Sequence, residues 1–392
     1  MNILTAPRRP RKRIDLRSYL LAVAGGIRDF ASANAVLVVA WTLALISCFI
    51  VKPDAKYIEY FDFKTLSCLF CTLAVICALK NIRFFTIVAR KIVCTAGNVR
   101  VLSLTLVYIT FIGSMLIAND MALLTFLPLG YFVLHTTGKE KYMAFTFIMQ
   151  NIAANLGGML TPFGNPQNLY LYTKFGIPTG EFVSIMLLPF AVAIVLFTVC
   201  CMFFPKEAMQ LDSNKEDALP KKRTAFNLVL FALTIVMVFR LIPYYICLPI
   251  VFLAVFLEDR DALKKVDYSL LLTFVAFFLL AGNVSRIGAV STFFSTLLEK
   301  NTLLTAIFSC QFISNVPSAI LLSEFTDNYR ELLLGVNIGG AGTLISSLAS
   351  LITFREYTSH VKGKTLSYIG LFSAFNFSFL AILTVAVMIF GI

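Results

Sequence analysis

The chain has 392 residues, of which 59% are hydrophobic and only 14% charged, with a mean hydropathy of +0.85. A soluble domain of this length could not keep so much apolar surface from water, so the composition excludes one and indicates a polytopic membrane protein. The net charge of +12 raises nucleic acid as a partner, but the placement of the basic residues accounts for it without one.

In chain order, residues 1–32 form a basic segment whose A-P-R-R-P-R-K-R run is too polar for a signal-peptide core, and 16–30 read as an interfacial helix. Apolar runs long enough to span follow at 33–51 and 64–80. The run at 100–136 carries a polar tip, Ala118-Asn119-Asp120, at its middle. The span at 143–172 is interrupted by N-L-G-G-M-L-T-P-F-G-N-P-Q-N-L from 155 to 169. After a span at 182–204 comes a charged loop, 205–224, and then spans at 225–240, 244–257 and 268–284. The run at 302–325 again has a polar tip, Ser314-Asn315-Val316. The span at 331–354 is interrupted by N-I-G-G-A-G-T-L-I-S-S-L-A-S-L from 337 to 351, and 366–391 is the last span.

Suppose the two tipped runs are hairpins that enter and leave on one side while the nine others cross. With the N-terminus in the cytoplasm, that side holds seven Lys/Arg in 1–32, five in 80–100, two in 135–142, five in 205–224, three in 258–267 and three in 355–364. Those are 25 of the 33. The positive-inside rule therefore favours this orientation, with the C-terminus outside, in the plasma (inner) membrane. The nine cysteines lie in or beside apolar segments and read as buried thiols.

The two halves correspond. The tips align at an offset of 196 and the interruptions at 182. Equivalent spans are separated by five crossings, an odd number, so the second half is expected upside down relative to the first. The predicted fold is an all-α polytopic membrane protein with two inverted-topology repeats, paired re-entrant hairpins and broken transmembrane helices. The basic N-terminus is 1–32, the first repeat 33–204, the cytoplasmic loop and linking span 205–242, and the second repeat 243–392.

Backbone freed from helical bonding inside a bilayer is tolerated only where it is buried in protein or lines a cavity. A repeated break therefore predicts a binding site between the halves. Half-helix N-termini present unpaired N–H groups with partial positive charge. Asn119, Asn165, Asn168 and Asn315 add amide donors, and Thr161, Ser314, Thr343, Ser346 and Ser347 add hydroxyls. These are the candidate substrate-binding residues for a small anion. Freed carbonyls and amide oxygens can also take a hard cation, which marks Ser114, Asn119, Asp120, Asn155, Gly157, Gly158, Asn315, Asn337, Gly339 and Gly340 as candidates for the coupling ion. No Lys or Arg lies in the tips, so an anion must be neutralised by co-transported Na+ or H+. Asp120, as a buried acid, should be protonated or paired with a cation; it is equally placed to cap the second arm of its hairpin. Gly157-Gly158 and Gly339-Gly340 could instead serve close helix packing.

An intramembrane aspartic protease needs a second acid at depth, and a zinc protease an H-E-x-x-H; neither occurs, so no catalytic residue and no cofactor are expected. At the tips and breaks the chain resembles the ion transporter superfamily, specifically the divalent-anion/sodium symporter family and its citrate-transporter-like relatives. A-N-D at 118–120 and S-N-V at 314–316 are similar to that family's paired Ser-Asn-Thr motifs, and L-T-P-F-G-N-P-Q-N-L to its break before Pro-x-Asn. The resemblance implies that Asn119 and Asn315 hold substrate carboxylate and help build sodium sites. It also implies a scaffold and a moving transport domain in a homodimer, with elevator-type alternating access. The expected activity is secondary transport of a di- or tricarboxylate such as succinate, malate or citrate. The chain departs from the motif: neither tip has the Thr, and Asp120 makes the first tip similar to the A-N-D of arsenite-efflux permeases. The alternative is therefore efflux of arsenite or antimonite, or Na+/H+ exchange, on the same fold. Ser114 corresponds at the 196 offset to Cys310, a poor ligand for a hard cation.

Overall fold

The computed structural model describes residues 34–209 and 218–390; the predicted N-terminal interfacial helix and the centre of the 205–224 loop lie outside them. Among the described residues there are eighteen α-helices, three short 3-10 turns and no β-strand. The described residues are all-helical, and the chain is an integral membrane protein. Among the described residues, five helices are long and apolar enough to cross a membrane.

The first helices are α1 (Ala35–Ile50), α2 (Phe63–Asn81) and the short amphipathic α3 (Phe84–Val93). Helix α4 (Val99–Ile117) turns on Ala118 into α5 (Asn119–Thr136), and α6 (Met143–Gly157) leads through a break to α7 (Pro166–Lys174) and then α8 (Thr179–Met202). Next come α9 (Lys221–Val238), α10 (Tyr244–Glu258) and the one-turn α11 (Arg260–Lys264). The earlier series then recurs. It comprises long α12 (Tyr268–Ser285), α13 (Gly288–Lys300), the pair α14 (Thr302–Ile313) and α15 (Asn315–Leu322), the broken pair α16 (Tyr329–Ile338) and α17 (Leu348–His360), and α18 (Thr365–Phe390).

Local chemistry sets the helix starts. Asp62, Asn98, Asp267, Asn301, Asn328 and Ser347 each accept a bond from a backbone N–H two or three residues inside α2, α4, α12, α14, α16 and α17, satisfying donors that a helix N-terminus leaves open. The broken helices form the centre of the bundle. Helix α6 buries every residue from Thr146 to Gly157 and α16 every residue from Leu332 to Ile338.

The connectors sort to two ends. At one, Arg286 pairs with Asp54 at 2.6 Å and Tyr60 at 2.9 Å, Lys174 with Glu324, and Tyr329 donates to Glu181 at 2.9 Å. At the other, Asn81 binds Asp259 and Lys265, Arg223 binds Glu258, and Glu207 accepts from Lys139, Lys141 and Tyr142. The Lys139 and Lys141 ammoniums and the Tyr142 hydroxyl hold the Glu207 carboxyl down at about 2. Thus the α2–α3 connector and its counterpart between α12 and α13 lie at opposite ends.

Candidate functional site

Both tips turn on a single residue held in a conformation that side chains avoid. Ala118 has φ 66° and ψ 151°, and Ser314 φ 74° and ψ 159°. Such backbone costs on the order of 1–3 kcal/mol and persists where the surroundings over-determine it. The surroundings here are matched. Asn119 N–H donates to Gly164 O at 3.2 Å, and Asn315 N–H to Ser346 O at 2.9 Å. Thr161 Oγ1 donates to Met115 O at 2.8 Å, and Thr343 Oγ1 to Gln311 O at 3.0 Å. The Oδ1 of each tip asparagine accepts the next residue's N–H at 2.9 Å. Every one of these pairs obeys the offsets of 196 and 182 seen in the sequence.

The non-helical stretch of the first break is shorter than the sequence suggests. Asn155 and Gly157 remain in α6, and the chain leaves helical geometry only at Thr161, which is extended at φ −114° and ψ 143°. Pro162 disfavours the α region for the residue before it, and Pro166 restarts the helix at its first position, where no N–H is needed. Asn337 likewise stays within α16. Gly157 and Gly339 let the hairpins close on the broken helices. A Cβ at 157 would stand 2.4 Å from Phe111 O and 2.5 Å from Ser114 Oγ, and one at 339 would stand 2.9 Å from Cys310 Cβ. Gly158 sits against Asn165 Oδ1, and Gly340 against Asn315 Nδ2.

Between the breaks runs a ladder of buried amides. Asn119 Nδ2 donates to Asn155 Oδ1 at 3.1 Å, and Asn165 Nδ2 to Asn155 O at 3.2 Å and Asn337 Oδ1 at 3.4 Å. Asn337 Nδ2 donates to Asn168 Oδ1 at 2.6 Å, and Asn168 Nδ2 to Gly158 O and Met159 O at 3.2 and 3.3 Å. The ladder joins the first tip to both breaks, while Asn315 packs on the second break. On the far side, Asn151 donates at 3.4 Å to both Ser350 and Asn376. Ser346 Oγ reaches Gly340 O and Thr343 O, Ser347 Oγ pairs with Ser350 Oγ, and Ser114 Oγ bonds back to Phe111 O. These hydroxyls hold the breaks in shape.

Several polar atoms here are buried without a partner: Asn155 Nδ2, Asn165 Oδ1, Gln167 Oε1, Gln150 Oε1 and Asp120 Oδ1. Leaving such atoms unmade is costly; Asn155 Nδ2 is a donor, and the others are acceptors. The Asp120 side chain caps nothing; α5 begins without a side-chain cap. Sequence reasoning missed Asn151, Gln150, Gln167, Gln311 and Asn376. The signal for Asn151 was its position one turn before Asn155 on the same helical face. No Lys or Arg lies in 101–138, 142–173, 301–329 or 331–354. Beyond the C-terminus of α7, a separate cleft of about 420 Å³ is lined by Asp62, Lys64, Tyr170, Lys174, Phe278 and Glu324, among others.

The sequence model of the citrate transporter family matches residues 19–329. An uncharacterized transporter of Methanocaldococcus jannaschii is 32% identical over 310 residues, covering 79% of this chain and 85% of that protein. The inner membrane protein YbiR of Escherichia coli is 31% identical over 276 residues, 69% of this chain and 74% of that one.

Proposed function

The chain belongs to the citrate transporter family, a family of membrane transporters of anions, and from that premise we propose that it is a secondary active transporter of a small di- or tricarboxylate, coupled to Na+ or H+. The observation that carries this reading is the amide ladder. Its unpartnered Asn155 Nδ2 is a donor for a carboxylate, and the unpartnered oxygens Asn165 Oδ1 and, next to the ladder, Gln167 Oε1 are acceptors suited to a coupled cation. Substrate carboxylate takes N–H groups from the amides and the break backbone, and the coupled cation or proton supplies the positive charge that no Lys or Arg provides.

Asp120 is the acid placed to carry that charge. Its Oδ1 is buried and unpartnered, and a proton or a cation satisfies it. The same A-N-D tip supports the second reading, arsenite or antimonite efflux or Na+/H+ exchange. Two further features support inverted repeats: the series α2–α8 recurs as α12–α18, and equivalent connectors sit at opposite ends. On this reading the tipped pairs are re-entrant hairpins, and access alternates by an elevator motion of the hairpins and broken helices as one body, in a homodimer.

Purified protein in proteoliposomes tests the proposal. Uptake of succinate, malate or citrate driven by an imposed Na+ or pH gradient is expected. Movement of arsenite or antimonite alone would replace it with the efflux reading, and no gradient-driven flux of any of these solutes would overturn both.

A further inference from the structure

The two breaks differ at one linked pair of positions. In the second, Gln311 reaches from α14 into the freed backbone. Its Nε2 donates to Gly339 O at 2.9 Å, Ala341 O at 3.5 Å and, one turn back, Ile307 O at 3.1 Å. Its Oε1 accepts the Thr343 N–H at 2.9 Å, and this backbone donor fixes which end of the amide is oxygen. The facing residue is Gly342, at φ +141°. A Cβ there would stand 2.0 Å from Gln311 Oε1 and 2.8 Å from its Cδ, so only glycine admits the amide.

At the offsets of 196 and 182 the first half has Met115 and Leu160 instead: no donor, and a side chain where the second half leaves a cradle. Its carbonyls are collected from the other direction, by Asn168 of α7, for which the second half has the shorter Ser350. The tips are unequal too. The first offers the Asp120 carboxylate; its counterpart is Val316.

Convergent carbonyl oxygens at a helix break form the oxygen set that a hard cation takes. Here Gln311 Nε2 already donates into that set, to Gly339 O and Ala341 O, while its other N–H turns back to Ile307 O. We infer that Gln311, seated on Gly342, is a built-in stand-in for a cation at the second break, so that the chain couples through a single ion or proton at the first tip. The functional half of this inference rests on the transporter reading above. A cation that takes Gly339 O and Ala341 O must displace the Gln311 amide from both, leaving it only Ile307 O and the Thr343 N–H, and that loss opposes the cation in the unmodified chain.

The test is the response of purified full-length protein to Na+ alone. Thermal midpoints are read in NaCl and in choline chloride at equal ionic strength, for wild type, Gln311→Ala and Gln311→Met, the residue of the first half. The wild type is expected to respond to Na+ with a Hill coefficient of at most about 1. Both variants should unfold at lower temperature in choline and be stabilised by Na+ more than wild type is, with a slope rising toward about 2. A wild type whose Na+ response already approaches a slope of about 2 overturns the inference. So do variants that gain no Na+ response, including variants that fail to fold in either salt, since the amide is then only a structural brace. Because this readout needs no substrate, failure to transport any anion would count against the proposed function alone.

Discussion

Asn337→Ala cuts the ladder where the two breaks are tied together. The substitution removes the donor to Asn168 Oδ1 at 2.6 Å and the acceptor of Asn165 Nδ2 and Gln167 Nε2 at 3.4 and 3.5 Å. Asn165 keeps its bond to Asn155 O at 3.2 Å. Buried Asn168 Oδ1 loses its tie to α16, and Gln167, whose Oε1 is already unpartnered, loses its bond to that helix. Hydrogen bonds between membrane helices average about 0.6 kcal/mol and reach about 1.7, while a buried polar atom left unmade costs about 1–3 kcal/mol. One short bond and two long ones therefore come to about 2 kcal/mol. Asn337→Asp should be no milder, since it places an acceptor against the Asn168 acceptor, and Asn168 cannot turn over without releasing Gly158 O and Met159 O. Unfolding can be followed with a thiol-reactive dye, because Cys68, Cys71, Cys77, Cys201, Cys247 and Cys310 are buried and free. Equilibrium unfolding in mixed SDS micelles should show the loss in both variants. Ser184→Ala, which removes only an exposed local bond, should lie near wild type. An Asn337→Ala protein within about 0.5 kcal/mol of wild type would refute the view that this residue ties the breaks together.

Asn119→Ala and Asn315→Ala should each weaken apparent substrate affinity by roughly 10- to 150-fold, the equivalent of about 1.5–3 kcal/mol for an amide bonded to a charged ligand, as read from the concentration dependence of uptake. Asp120→Asn should remove the response of uptake to an imposed pH gradient if a proton is carried, or flatten its Na+ dependence if sodium is; a variant with wild-type rates and ion dependence would take the carboxylate out of the coupling. At the basic end, Glu207→Gln should destabilise the 203–209 segment by an amount that depends on pH. The folded carboxyl is held at about 2 against an ordinary 4.5, so its contribution is full above 4.5 and is lost as pH falls toward 2. Limited proteolysis of wild type and variant should therefore differ at neutral pH and converge at about pH 2.

Much of this organisation was legible in the residues, and the physics of the bilayer explains why. Apolar runs at 33–51, 64–80 and 182–204 correspond to helices 35–50, 63–81 and 179–202, because an apolar stretch of membrane length has few alternatives to helix. The tips at Asn119 and Asn315 were visible as polar residues stranded mid-run, and the breaks as paired glycines, with prolines in the first. Tertiary direction was not legible. Gln311 and Gln150 sit in apolar helices, and only the packed structure shows that one plugs a break and the other donates to Thr110 at 3.0 Å. Asn155 and Asn337 looked like break residues because Gly-Gly follows each, yet both stay helical, in helices that run on to Gly157 and Ile338. Asp120 left carrier and cap open on sequence grounds. The cap does not form, because the helix begins at Asn119 with Ala118 at the cap position, which puts Asp120 already inside the first turn.

On the proposed function, substrate binds where the two tips meet the two breaks. Thr161 and Thr343 are the matched, half-buried residues at that junction. Thr161→Cys and Thr343→Cys, each in a background lacking the native cysteines, can be titrated with a small thiol reagent while the transported anion is varied. Substrate should slow modification at both positions, with a half-saturation equal to that of uptake. Modification at either position that proceeds unchanged under saturating anion, while uptake by the unmodified protein still saturates, would contradict the claim and place the site elsewhere.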